Sequence, residues 1–175
     1  LKEVERCLND GAKGFGEIHA TLQKIDITDV KLMAPYMNLL MERGLPITIH
    51  CSEPVGHLYP GKGTTTPDLL EIFVRNFPEN KIVMAHWGGG LPFFELMPEV
   101  KLLFRNVYYD TAASPLLYNK RIFTFTAKSV GLTKILFGSD FPLLTPNKTI
   151  DQITHSDLTE EEKQLILHKN ISDLL

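Results

Sequence analysis

Five short apolar runs, each closing on a polar residue, constrain this chain more than any other feature. They are Gly14-Phe-Gly-Glu-Ile-His19, Leu45-Pro-Ile-Thr-Ile-His50, Lys81-Ile-Val-Met-Ala-His86, Val107-Tyr-Tyr-Asp110 and Lys134-Ile-Leu-Phe-Gly-Ser-Asp140. Their ends fall at 19, 50, 86, 110 and 140, at intervals of 31, 36, 24 and 30 residues. A strand, its crossover helix and the connecting turns take about 30 residues. The beat therefore predicts strand alternating with helix and a parallel sheet.

The segments between the runs have helical spacing. Leu1, Val4 and Leu8 share one face, and Gly11 stands where a helix-ending glycine belongs. The chain thus opens inside a helix, which predicts a truncated, processed or partly observed protein with no signal or transit peptide. Val30, Met33, Met37, Leu40 and Met41 predict a helix over 29–42, with Pro35 kinking it or marking its first turn. Pro67 to Asn76 follows Thr66 as N-cap, and further helices are predicted over 91–104 and 119–130. Thr159-Glu-Glu-Glu162 is a capping box that opens a last helix through His168. Nothing in the sequence divides the chain, so 1–175 is read as a single domain. Two architectures fit five such units: an open doubly wound sheet, or part of a (β/α)8 barrel. Gly88-Gly89-Gly90 departs from G-x-G-x-x-G and follows the third strand, and no Walker A motif is present, so nucleotide binding is disfavoured.

Composition narrows the partners. Eighteen Lys+Arg against 21 Asp+Glu give a charge of −3, with no electrostatic reason to bind nucleic acid or an anionic membrane. No apolar run approaches the ~20 residues of a membrane span. Two cysteines, Cys7 and Cys51, rule out a disulfide framework and a thiolate-only zinc site, and a reduced cytoplasmic setting is expected.

The chemistry lies at the strand ends, where a barrel places its active site. Glu17, His19, His50, His86, Asp110 and Asp140 are the residue types of hydrolytic metal sites, imidazole and carboxylate with room for a water. His50, His86 and Asp140 are the leading candidates, as ligands or, for His86 and Asp140, as acid/base. Glu17 is a ligand or a salt-bridge partner behind one. His19 and Asp110 are weaker candidates, and His155 and His168 are expected to be solvated. The loop from Ser52 to Gly63 is long for a strand-to-helix connection, which makes Glu53, His57, Tyr59 and Lys62 candidates for substrate contact. Trp87 either lines a pocket or packs. Cys51 and His50 are adjacent and point to opposite faces of a strand, which disfavours a Cys–His nucleophile. A Ser/His/Asp triad lacks its G-x-S-x-G elbow.

Ile47-Thr-Ile-His50, Ala85-His-Trp-Gly-Gly89, Tyr109-Asp-Thr-Ala112, Leu136-Phe-Gly-Ser-Asp-Phe-Pro142 and the closing His168-Lys-Asn-Ile-Ser-Asp-Leu174 together resemble the amidohydrolase superfamily, in its amidohydrolase-related branch. That branch also holds decarboxylases similar to aminocarboxymuconate-semialdehyde decarboxylase. The resemblance implies a (β/α)8 TIM barrel of which this chain represents strands four to eight. It implies that His50 and Asp140 hold a divalent metal, zinc ahead of manganese or iron. His86 is then a third ligand or the acid/base, and Glu17 lies on the strand that bears a bridging ligand in binuclear members. It implies a metal-dependent hydrolase whose activated water attacks an amide, ester or lactone of a small molecule, with a nonoxidative decarboxylase as the alternative. The family's first-strand His-x-His pair is missing: no two of the six histidines stand one residue apart. The sequence therefore predicts either a missing N-terminal segment or a homo-oligomer, and leaves open a barrel remnant that binds or assembles without catalysis.

Overall fold

In the computed structural model, which describes residues 1–175, all five runs become strands of one parallel sheet: β1 (Phe15–Ile18), β2 (Ile47–Ile49), β3 (Ile82–Met84), β4 (Val107–Asp110) and β5 (Ile135–Leu136). They pair in chain order with no reversal. A doubly wound sheet needs a point where the order reverses, so the first of the two architectures does not hold. Register aligns Ile47 with Ile82, Ile82 with Val107 and Tyr109 with Ile135. Side chains alternate across a strand, so Ile47, Ile49, Ile82, Met84, Val107, Tyr109 and Ile135 point one way, and all are fully buried.

Most of the helices pack on that face. α1 (Lys2–Asn9) ends as its glycine predicts: the Ala12 N–H donates to Cys7 O and the Gly11 N–H to Leu8 O, with Gly11 at φ 103°. α2 (Ala20–Gln23) is a single turn that the spacing did not predict. α3 (Val30–Arg43) starts at Asp29, whose carboxylate accepts from the N–H groups of Lys31 and Leu32. Met33, Met37 and Leu40 bury its inner face, each contributing about 1.5–3 kcal/mol, and Pro35 lies within the helix rather than in its first turn. α4 (Pro67–Asn76) follows Thr66, whose hydroxyl donates to Asp68 instead of capping. The single helix predicted over 91–104 is two, α5 (Leu91–Phe94) and α6 (Pro98–Leu103), because Pro98 takes the first position of a new helix where its missing N–H costs nothing.

After β4 comes α7 (Ser114–Leu117), and α8 (Arg121–Val130) starts two residues later than predicted, with Asn119 Oδ1 accepting the Arg121 N–H. α9 (Pro146–Thr154) precedes α10 (Glu160–Gln164), where both capping-box bonds between Thr159 and Glu162 are made. The last helix does not stop at His168. It passes through a π turn (Leu165–Lys169) into α11 (Asn170–Leu174). Asn170 Nδ2 donates to Ile135 O at 2.8 Å and Leu132 O at 2.9 Å, fastening this end to β5. On the opposite face of the sheet, Leu174 packs on Val83 and Leu136. No helix is long and apolar enough to cross a membrane.

Candidate metal centre

Sheet hydrogen bonding runs one step past the strands. The His50 N–H donates to Ile18 O, the Ala85 N–H to Ile49 O, each at 2.9 Å, and the Thr111 N–H to Leu136 O at 3.1 Å. The residues that follow β2 and β3 are thus held at a common rim. There the His50 Nδ1 lies 2.9 Å from Glu17 Oε1, and the His86 Nε2 lies 3.4 Å from the same oxygen.

His86 has an unusual support. It takes φ 56° and begins a left-handed turn through Trp87, Gly88, Gly89 and Gly90. Two glycines make this possible: a Cβ on Gly88 would come 2.9 Å from the Tyr109 ring, and one on Gly89 would come 2.5 Å from Ser52 O. The His86 main-chain N–H donates to Asp110 Oδ1 at 2.9 Å, and the Ala112 N–H donates to the same oxygen at 3.0 Å. The ring Nδ1–H of His86 donates to Ala112 O at 3.0 Å, which fixes the tautomer and turns Nε2 toward Glu17.

Burial opposes the charge on Glu17, but the hydrogen bonds of His50 and His86 outweigh it and hold the carboxyl at about 2. Burial likewise disfavours a charged His86. The bond to Glu17, the Asp110 charge and the Ala112 carbonyl prevail and raise the imidazole to about 9. Burial lifts the Asp110 carboxyl to about 6, against the pull of the His86 charge.

A cavity of about 510 Å³ opens above this cluster. Glu17, His50, His86 and Asp140 all line it, together with His57 and Tyr59 of the long loop. Asp140, at φ 65° on the loop after β5, faces the cavity but stands outside the tight cluster of Glu17, His50 and His86. Asp110, Trp87, Lys62 and Glu53, all named from the sequence, do not line the cavity. Trp87 is fully buried, its Nε1–H donating to Ser114 Oγ at 2.9 Å and its ring edge-on to Phe123, because the left-handed turn swings it into the core. Lys62 donates to Val55 O and His57 O and so knits its own loop. Glu53 accepts the Tyr59 hydroxyl at 3.4 Å from behind the wall. Burial, with Glu53 adjoining, pushes the Tyr59 phenol up to about 12.

Sequence reasoning undervalued two groups. His19 lines the cavity, its ring stacked on His50. Its position two residues after Glu17, at the end of the first apolar run, was the available signal. Ala113, Leu116, Leu117 and Leu143 form an apolar wall that no motif marked. His155 and His168 are exposed, as expected.

The cluster fits a divalent ion. One donor atom each from Glu17, His50 and His86 lie within 4.8 Å of one another, close to the span that bonds of about 2.0–2.2 Å bridge. Two imidazoles and a carboxylate suit zinc, manganese or iron.

The comparisons agree with this picture. The 6-methylsalicylic acid decarboxylase of Penicillium expansum is 31% identical, over 73% of this chain and 48% of that protein. The chain thus spans about half the length of this curated relative. A protein from Staphylococcus aureus assigned to the amidohydrolases superposes at TM-score 0.76 with 25% identity, over 99% of this chain and 68% of that one. A dihydroxybenzoic acid decarboxylase from a Polaromonas species, solved with manganese and 2-nitroresorcinol, superposes at 0.66 with 18% identity, over 80% and 52%. The family profile described as amidohydrolase matches residues 1–175 from end to end. The chain belongs to the amidohydrolase family.

Proposed function

We propose that this chain carries part of the active site of a metal-dependent nonoxidative decarboxylase acting on a small hydroxylated aromatic acid. The observation that carries the reading is the placement of the Glu17–His50–His86 cluster beneath the apolar wall of Ala113, Leu116, Leu117 and Leu143. Such a cavity takes a flat ring with its polar groups directed at the cluster. The likeness to 6-methylsalicylic acid decarboxylase favours this over hydrolysis.

His50 and Glu17 would hold the ion, with Asp140 facing them, and the ion would supply positive charge to orient the acid's oxygen atoms. Loss of carbon dioxide breaks the carbon–carbon bond and leaves its electron pair on the ring carbon. His86 Nε2, which lines the cavity beside the cluster, would deliver the proton that this carbon needs. The Ala112 carbonyl and Asp110 keep that nitrogen aimed into the cavity. A second reading, hydrolysis of an amide, ester or lactone, is favoured by one fact: His86 Nε2 is close enough to Glu17 and His50 to serve as a third ligand.

The sheet order supports reading the five strands as strands four to eight of an eight-stranded barrel, the outer edges of β1 and β5 being paired by further strands of the same protein or by a second copy. The test uses the full-length protein loaded with manganese or zinc. Hydroxybenzoates should release carbon dioxide, and His86→Ala should slow this by roughly 10²–10⁴-fold. Turnover of esters or lactones with no carbon dioxide from any aromatic acid would overturn the proposal in favour of the hydrolase.

A further inference from the structure

His19 joins three parts of the site. Its Nδ1 accepts the Leu22 N–H at 3.3 Å, capping α2, and its Nε2–H donates to Gly61 O at 2.9 Å on the loop between β2 and α4. Both ring nitrogens are thereby occupied, and one neutral tautomer satisfies both contacts. The ring face lies on His50, with centroids 3.9 Å apart and planes at 13°.

The loop closes the circuit from its own side. The Gly63 N–H donates to Ser52 Oγ at 3.0 Å, and that oxygen is 3.3 Å from His50 Nε2. A Cβ on Gly63 would sit 3.0 Å from Thr21 Oγ1, 3.1 Å from His19 Cε1 and 3.4 Å from His50 Cδ2, so the main chain here is seated against both imidazoles. The Thr64 N–H donates to Thr21 Oγ1 at 2.9 Å, a second tie to α2. His57, Tyr59, Pro60 and Gly61, carried by this loop, form one wall of the cavity.

We propose that His19 is a positioning residue with two tasks: its hydrogen bonds latch the 52–64 loop over the cavity, and its ring face braces the His50 ring. The latch stands on these contacts alone; the bracing of a metal-binding imidazole rests on the proposed function.

Three variants of the full-length protein separate the contacts: His19→Phe keeps the stack and loses both hydrogen bonds, His19→Ala loses all three, and Gly63→Ala wedges the loop from the other side. Two readouts apply, amide hydrogen exchange at residues 61–64 without metal, and affinity for manganese alone by chelator competition. Exchange should rise about tenfold in every variant, as expected for losing one good hydrogen bond. Manganese affinity should fall about 10–100-fold in His19→Ala and recover in large part in His19→Phe. Unchanged exchange at 61–64 in both His19 variants would overturn the latch. Manganese loss as complete in His19→Phe as in His19→Ala would overturn the bracing of His50 by the ring face. A wild-type protein that binds manganese but releases no carbon dioxide would defeat the decarboxylase reading and leave the latch standing.

Discussion

One oxygen of Asp110 accepts the main-chain N–H groups of both His86 and Ala112, at 2.9 and 3.0 Å. It pins a histidine at φ 56° to the residue whose carbonyl orients the same imidazole. Asp110→Asn keeps an oxygen acceptor and should cost little. Asp110→Ala leaves two buried donors without a partner and should lower stability by about 2–6 kcal/mol, at about 1–3 kcal/mol for each unsatisfied group. Urea unfolding of the two variants measures the difference.

Protein stripped of metal should show a stability window set by Glu17 and His86. The Glu17 carboxyl falls from 4.5 to about 2 on folding, so its contribution is present above 4.5 and lost as pH drops through 2. The His86 imidazole rises from 6.5 to about 9, so its contribution is present below 6.5 and lost as pH climbs through 9. The pair is at full strength between pH 4.5 and 6.5. Glu17→Gln should flatten both flanks of the profile of Tm against pH.

Lys134 and Glu95 form a buried pair at 3.1 Å, with the Tyr109 hydroxyl donating to Glu95 at 2.7 Å. Burial pushes the Glu95 carboxyl up and the Lys134 amine down. Removing both charges from water therefore costs more than their attraction returns. Lys134→Met alone should destabilise by about 3 kcal/mol, because it strands the carboxylate, and Lys134→Met with Glu95→Gln should recover most of that loss. A double-mutant cycle in urea reads the coupling.

Neighbouring glycines of the left-handed turn should respond unequally to alanine. Gly90 has φ 99° and nothing within 4 Å of an added Cβ, so Gly90→Ala should cost about 1–2 kcal/mol of backbone strain. Gly89, at φ 61°, would bring its Cβ to 2.5 Å from Ser52 O, and Gly89→Ala should cost about 3 kcal/mol or more. Tm values for the pair provide the check.

The strands and the rim residues were legible in the sequence because both rest on local pattern: apolar runs about 30 residues apart, each closed by His or Asp. The convergence of Glu17, His50 and His86 follows from the parallel order that the spacing dictates. Trp87 stayed open between pocket and core because its direction depends on a left-handed main chain, and a Gly-rich string announces a turn without announcing its hand. His19 was undervalued because its neighbours, Gly61 and His50, are 42 and 31 residues away. The break at Pro98 carried its own signal, since proline favours a helix start over a helix interior. The apolar wall from Leu116 to Leu143 had no signal, because ordinary leucines on α7 and on the loop after β5 look the same wherever they face.

The left-handed turn from His86 to Gly90 separates reactivity from selectivity. Its bends leave no room for side chains at 88 and 89, so the histidine that opens it rests on a segment that tolerates almost no substitution. The leucines opposite are bound by no such limit, and Leu116 and Leu143 are more than half open to solvent. Under the proposed function, exchanging those leucines would retune which molecules fit while the His86 imidazole stays where it is.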